Sequence, residues 1–404
     1  MAILTNAGKN AGKVVRVFRA EGMSGVAERL TRRASRRWGG DVQPIYLKPE
    51  DIADSASVRA APSGPARPIG EPLSVGWLIT APGPASGGHT TIFRFVEALE
   101  AAGHRCVLFV YDGQGGAASS YEGLIRTWWP GVRAAIRDLR DGIAGMDAYV
   151  ATAWATAHVL AKHDDVPGKR FYLAQDFEPY FYPRGSAYEL AEDTYRFGFA
   201  PITVGHMVAD ELRDRFGVSP VVAEFGCDTE RYRVTNRQNR DGVVFYAKPG
   251  IARRGYELGV LALQRLNQRR PDIQIHTFGI EAHRLPFPAE VHAHLTTEDL
   301  NELYNQCAAG LALSFTNVSL IANELLAAGV VPVVNDYAGT RADLGGPHVV
   351  WTRATPDAIA TSILDAIDHH REVGPDALRR SVETMSWVPA QTTVVRAIEK
   401  ACAR

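Results

Sequence analysis

From Leu73 onward, short apolar runs alternate with longer stretches whose apolar residues recur every three or four positions. Runs of four to eight apolar residues read as buried strands, and spacing near 3.6 reads as helix. Strands are predicted from Leu73 to Thr80, Arg105 to Tyr111, Asp147 to Ala151, Phe171 to Ala174, Ile202 to Val204 and Val221 to Glu224. Helices are predicted from His89 to Ala102, Thr156 to Lys162 and His206 to Phe216. A second set begins near Gly242, with strands at Val243 to Tyr246, Ile273 to Phe278, Gly310 to Leu313, Val331 to Val334 and Val349 to Trp351. Its helices fall at Gly255 to Asn267, Glu298 to Gln306, Leu320 to Ala328 and Pro356 to His369. Short apolar strands separated by helices imply parallel pairing. The expected fold class is α/β, with two doubly wound Rossmann-like domains facing across a cleft. Such sheets bind ligands at the carboxyl ends of their strands.

The chain before Leu73 reads differently. Residues 10–38 read as one or two short helices, with Val14, Val17, Phe18, Val26 and Leu30 opposite arginines. Ser55 to Pro72 is rich in Ala, Pro, Ser and Gly and is expected to lack regular structure. The expected partition is 1–72 for basic helices and linker, 73–232 for one Rossmann-like domain, 233–385 for a second and 386–404 for a C-terminal helix. At 404 residues, two domains are the natural division.

Composition narrows the classes. Hydrophobic residues make up 46% and charged residues 22%, which are globular proportions. The net charge of −1 gives no electrostatic case for nucleic acid. That charge is uneven: residues 1–40 hold nine Lys/Arg against two Glu, a balance of +7, which leaves −8 for the remainder. Cys106, Cys227, Cys307 and Cys402 are far apart, so neither a disulfide framework nor a zinc site is suggested, and a cytoplasmic location is expected. No apolar run approaches the length of a membrane span.

Three stretches carry candidate chemistry. Ala81 to Thr90 joins the first strand to its helix through Gly87, Gly88 and His89. Glycines let backbone N–H groups approach an anion, though a plain strand-to-helix turn reads the same way. His89 could contact a phosphate, or serve as a capping and packing residue. Lys248 follows a strand and Arg253-Arg254-Gly255 opens the next helix, an arrangement suited to a diphosphate or to a solvated basic turn. Ser314 to Ser319 then ends a strand in small polar residues, and Glu324 sits inside the apolar helix that follows. A buried carboxylate needs partners. Two ribose hydroxyls or a neighbouring arginine would serve.

These residues resemble glycosyltransferase family 4, whose fold is called GT-B. Phe225 to Tyr232 is similar to that family's interdomain segment "NGVDTERF". Glu324 to Gly329 with Pro332 to Val334 is similar to its "EAMACGTPVV" signature. Lys248 with Arg254-Gly255, the Gly87-Gly88 pair and Met385-Ser386-Trp387 fall in family order. Within the family, Gly88 to Phe95 and Phe171 to Pro179 most resemble WsaF-type rhamnosyltransferases. The resemblance implies transfer of L-rhamnose from dTDP-L-rhamnose, with retention, onto a surface polysaccharide or glycolipid. One departure stands out: the family's signature has two glutamates eight positions apart, and the first falls on Thr316.

The resemblance implies donor contacts at Glu324, Gly87, Gly88, Thr316, Asn317, Val318 and Ser319. It implies leaving-group stabilisation by Lys248 and Arg254, with no metal and no other cofactor. Asp176 is a candidate base and Glu178, with His89, a candidate acceptor contact. His292 and His294 stand two apart, and nothing near them in sequence completes a metal set. Phe177, Tyr180, Phe181 and Tyr182 suit either an acceptor platform or packing. The basic residues 10–38 suit peripheral contact with the inner face of a membrane, or packing on the rest of the chain. Competing classes are an NAD-type oxidoreductase, which the missing GxGxxG argues against, a non-catalytic sugar-nucleotide binder, and a transferase using a UDP- or GDP-hexose.

Overall fold

A computed structural model of the chain describes residues 47–84, 86–113, 115–238, 240–280, 285–293 and 295–403. The helices expected over 10–38 lie outside the described residues. Contacts divide the chain into two units, Met1–Arg170 with Cys402–Arg404, and Phe171–Ala401.

In the first unit, β1 (Ser74–Thr80) leads into α1 (Gly87–Ala101), followed by β2 (Arg105–Tyr111), α2 (Ser119–Trp128), β3 (Ala135–Asp138), β4 (Ala148–Ala151) and α3 (Trp154–Lys162). The strands run parallel in the order β3-β2-β1-β4. Five consecutive residues of β1 are buried, which is why it reads as an unbroken apolar run. Gly76 sits mid-strand because a Cβ there would stand 2.8 Å from the Phe109 ring and 3.0 Å from the Tyr149 ring. The stretch from Ser55 to Pro72 contains no helix or strand, as its composition predicts. It is tied down all the same: Gly168 N–H donates to Pro62 O (3.2 Å), and Arg67 N–H to Cys402 O (2.9 Å).

The second unit holds two sets of parallel strands. The first contains β5 (Lys169–Ala174), then after α4 (Ser186–Asp193) come β6 (Ala200–Val204), α5 (His206–Phe216) and β7 (Val221–Ala223), paired in parallel as β5-β6-β7. Gly205 precedes α5 and has no side chain to cap it. Asp343 supplies the cap instead, accepting from His206 N–H at 2.5 Å and Met207 N–H at 2.9 Å.

The other sheet begins with β8 (Gly242–Tyr246), α6 (Tyr256–Arg269), β9 (Ile275–Phe278), β10 (Glu290–His292), α7 (Thr297–Tyr304) and β11 (Cys307–Leu311). It continues with α8 (Ile321–Ala327), β12 (Val331–Asn335), α9 (Ala338–Asp343), β13 (Val350–Thr352), α10 (Pro356–Val373), α11 (Pro375–Arg380) and α12 (Val388–Cys402). Its strand order is β10-β9-β8-β11-β12-β13, all parallel. Helix α10 packs on α6 and on β11, β12 and β13. Gly310 lets α8 close on β11, since a Cβ there would stand 2.5 Å from Leu325.

Strand β11 is displaced from its prediction. The sequence places it at Gly310 to Leu313, whereas β11 covers Cys307–Leu311. Beyond it, the Asn335 side chain takes over as pairing partner: Ser314 N–H donates to Asn335 Oδ1 and Asn335 Nδ2 to Ser314 O, both at 2.7 Å. The carboxamide thus satisfies backbone groups where the ladder stops.

Candidate active site

The loop from Ser314 to Ser319 follows β11 and delivers α8. Thr316, Asn317, Val318 and Ser319 are all buried. Their polar groups are met by the loop after β5. Thr316 Oγ1–H donates to Asp176 Oδ2 at 2.8 Å, and Asn317 N–H to Asp176 Oδ1 at 3.1 Å. Phe177 N–H also donates to Oδ1, at 2.9 Å. Asn317 Nδ2 donates to Gln175 O (2.6 Å) and Val204 O (3.2 Å). Asn317 Oδ1 is buried and has no hydrogen-bond partner among the described residues.

Two guanidiniums stand beside this carboxylate. Arg253 Nε lies 3.6 Å from Asp176 Oδ2, with its plane 4.1 Å over the Phe181 ring. Arg254 Nη1 donates to Ser314 Oγ at 2.8 Å and, at 3.4 Å, to Asn317 O. Burial pushes the Asp176 carboxyl above its ordinary value, against the pull of Arg254, Arg253, Thr316 and Asn317. Burial lowers Arg254, and the neighbouring Arg253 charge adds to that, partly offset by Asp176. Gly255, at φ +60°, brings the backbone within 2.8 Å of Phe315 for any added Cβ, so the turn requires glycine.

Lys248 lies in the exposed turn after β8. Glu324 sits on α8, and its Oε2 accepts from the buried Tyr304 hydroxyl at 3.5 Å. Burial first, and then Glu324, hold the Tyr304 phenol well above its usual value, so it stays a donor. Glu178 is buried in the loop after β5, where its N–H donates to Tyr195 Oη at 3.2 Å. Phe177 is fully buried, stacked on Tyr195 with ring centres 5.3 Å apart, which is packing.

Gly87, Gly88 and His89 belong to the first unit. Both glycines are exposed, and a Cβ on Gly87 would meet nothing within 4 Å. Both ring nitrogens of His89 are engaged nearby: Nδ1 with Ser86 Oγ at 2.8 Å, Nε2 with Thr80 O at 3.0 Å. Donation from Nε2–H to the carbonyl leaves Nδ1 to accept from the serine hydroxyl. The helix cap itself is Ser86, whose side chain accepts from His89 N–H, and the His89 ring packs back on its own turn. Burial lowers the His89 pKa, countered by the Thr80 carbonyl.

The structure therefore brings together Asp176, Thr316, Asn317 and Arg254, which the sequence named separately. Arg253, named with Arg254 as a candidate diphosphate cation, joins them, and the structure adds Asn335 and Tyr337, whose Oη donates to Thr316 O at 3.2 Å. Asn335 could have been found as a polar residue closing an apolar strand at its carboxyl end. The interdomain motif and the Ser386-Trp387 motif also meet, because a Cβ on Gly226 would stand 2.6 Å from Trp387 N.

Comparison with known proteins adds two family-model matches. Residues 138–206 match the model described as WsaF, N-terminal domain, and residues 241–364 that of WsaF, C-terminal domain. The O-antigen biosynthesis protein RfbC of Myxococcus xanthus is 29% identical over 373 residues, covering 88% of this chain. The match spans only 29% of that relative's length. Among solved structures, Anabaena Alr3699/HepE in complex with UDP and glucose aligns over 81% of this chain and all of its own, with TM-score 0.64 and 13% identity. WaaG, a glycosyltransferase involved in lipopolysaccharide biosynthesis, aligns over 80% of this chain and 99% of its own, with TM-score 0.57 and 14% identity. At these identities the solved structures establish a shared fold.

Proposed function

We propose that this chain, a WsaF-type glycosyltransferase by family and GT-B fold, transfers L-rhamnose from dTDP-L-rhamnose, with retention, onto a surface polysaccharide or glycolipid. The observation that carries the reading is the meeting of Asp176, Arg253 and Arg254 with the Ser314 to Ser319 loop, directly ahead of the helix bearing Glu324. The O-antigen function in the name of the Myxococcus relative supports the acceptor class.

In this reading Glu324 accepts a hydrogen bond from the 3′-hydroxyl of the deoxyribose, with Tyr304 holding its other side. Arg254 and Lys248 face the diphosphate, whose negative charge grows as its bond to the sugar breaks. The acceptor oxygen bonds to the anomeric carbon on the face that the leaving group vacates. Its proton passes to the departing phosphate oxygen, so no separate base is required. Asp176 then acts by fixing the loop and lining the sugar end of the site, the place where the family's first glutamate is replaced by Thr316. Fixed cations make added Mg²⁺ unnecessary for transfer.

A thermal-shift panel of dTDP, UDP and GDP sugars tests the donor, since a bound ligand at a hundredfold excess over Kd adds about 2.7 kcal/mol. The dTDP-rhamnose sample should melt highest and show slow release of dTDP without acceptor. Stabilisation by a UDP- or GDP-hexose alone would replace the donor assignment, and stabilisation by none would end it. Glu324→Ala should weaken dTDP and dTDP-rhamnose equally, whereas Arg254→Ala should cut kcat by roughly a hundredfold. Residues 10–38 complete the proposal as a peripheral contact, checked by salt-reversible co-sedimentation of the full chain with anionic vesicles. Among the described residues no helix is long and apolar enough to cross a membrane.

A further inference from the structure

Beyond the transfer site, and independent of it, the edge of the second sheet gathers a set of metal-binding side chains. Strand β10 has three residues and, among the described residues, pairs only with β9. The register sets Glu290 opposite His276, and His292 lies two residues on, on the same face as Glu290. His276 Nδ1 and His292 Nε2 stand 3.1 Å apart. Glu290 places Oε2 3.6 Å from His276 Nδ1 and Oε1 3.8 Å from His292 Nε2. Among the described residues this is the group of three His, Cys, Asp or Glu side chains whose ligand atoms all lie within 4.8 Å of one another.

We propose that His276, Glu290 and His292 form a binding site for a divalent transition metal, with Zn²⁺ as the fitting ion. Zinc–ligand bonds of about 2.0–2.1 Å in a tetrahedron put neighbouring ligand atoms about 3.3–3.4 Å apart. The observed separations bracket that edge, so small side-chain rotations close the set. Without metal the two imidazoles share one hydrogen bond between nitrogens, one as donor and one as acceptor. A cation replaces that shared proton and uses both lone pairs. The donor set, two imidazoles and one carboxylate, suits zinc rather than magnesium or calcium.

Burial orders the site from core to water: the His276 side chain is 1% exposed, His292 18% and Glu290 55%. Water can therefore supply a fourth ligand on the carboxylate side. Gln274 Nε2 donates to Glu290 Oε2 at 3.1 Å and orients the carboxylate from outside. The consequence is mechanical: the ion staples a three-residue strand to its neighbour β9. The sequence conceals the site because His276 comes from the adjacent strand, 16 residues before His292.

The test uses the full chain without a histidine tag, stripped with chelator and titrated with Zn²⁺ against a chromophoric competitor. One equivalent should bind, the chain should melt higher, and Co²⁺ loading should give the visible bands of a four-coordinate ion. Glu290→Gln and His292→Asn should each weaken Zn²⁺ at least tenfold while leaving the metal-free melting temperature nearly unchanged. His348→Asn, which breaks the His348–His369 pair at 3.0 Å, should leave binding intact. No saturable binding would overturn the proposal. So would binding that survives Glu290→Gln combined with His292→Asn, or binding abolished by His348→Asn alone.

Discussion

Two strand-to-helix turns, one in each unit, solve the same local problem with opposite resources. In the first unit, the turn between β1 and α1 closes on itself. Ser86, His89 and Thr80 satisfy one another within nine residues, and Ser86 caps the helix. In the second unit, the turn between β11 and α8 has no side-chain cap and sends its polar groups to Asp176, 140 residues earlier in the chain. One turn needs only its own segment to be correct. The other is correct only when two distant strand ends have arrived together. A carboxylate buried among donors is costly to isolate, so the second turn is the more fragile one.

The largest test of that contrast is Asp176→Ala, which strands Thr316 Oγ1, the Asn317 amide and Arg253 together. It should lower unfolding free energy by about 3 kcal/mol or more, measured by denaturant melts. Thr316→Val in both backgrounds should show coupling of at least about 0.5 kcal/mol, and additivity would mean the pair does not act as a unit. Ser86→Ala should cost about 1 kcal/mol, the usual value of an N-cap, because its partners lie close by. A loss equal to that of Asp176→Ala would erase the distinction between the turns.

Smaller still are two pH slopes of opposite sign. The His89 pKa is lowered from 6.5 in the fold, so between that folded value and 6.5 the unfolded chain holds the extra proton. Its contribution is full above 6.5 and is lost as pH falls. The Asp176 pKa is raised from 3.8, so the folded chain holds the extra proton above that value. Stability from this group is full below 3.8 and declines as pH rises through the folded value. Melting curves against pH should flatten on the acid side in His89→Gln, and Asp176→Asn should remove the opposite slope. Matching slopes in both variants would mean that neither group titrates as its surroundings dictate.

What was legible in the sequence follows the same division. β2 and α5 occupy the residues their patterns predict, because each is a contiguous buried run or a regular apolar stripe. α2 buries only Ile125, and β3 exposes alternate residues, so neither carries a pattern strong enough to stand out. Asp176, Thr316, Asn317 and Arg254 were each visible as chemistry at a strand or helix end. Their hydrogen bonds to one another were not, since spacing carries no signal across 140 residues. Arg253 and Arg254 were read together as one basic pair, since two adjacent arginines read alike until one is seen stacked on Phe181 and the other turned toward Ser314.

The carboxylate of Asp343 at the start of α5 sets a clock on the growing chain. At roughly 5–20 residues per second, a ribosome emits the 137 residues separating His206 from Asp343 over about 7–27 s. Throughout that interval the amides of His206 and Met207 have only water as a partner. The first turn of α5 is thus the last of its helix to set, and nascent chains paused before Asp343 should leave it open to protease until translation resumes.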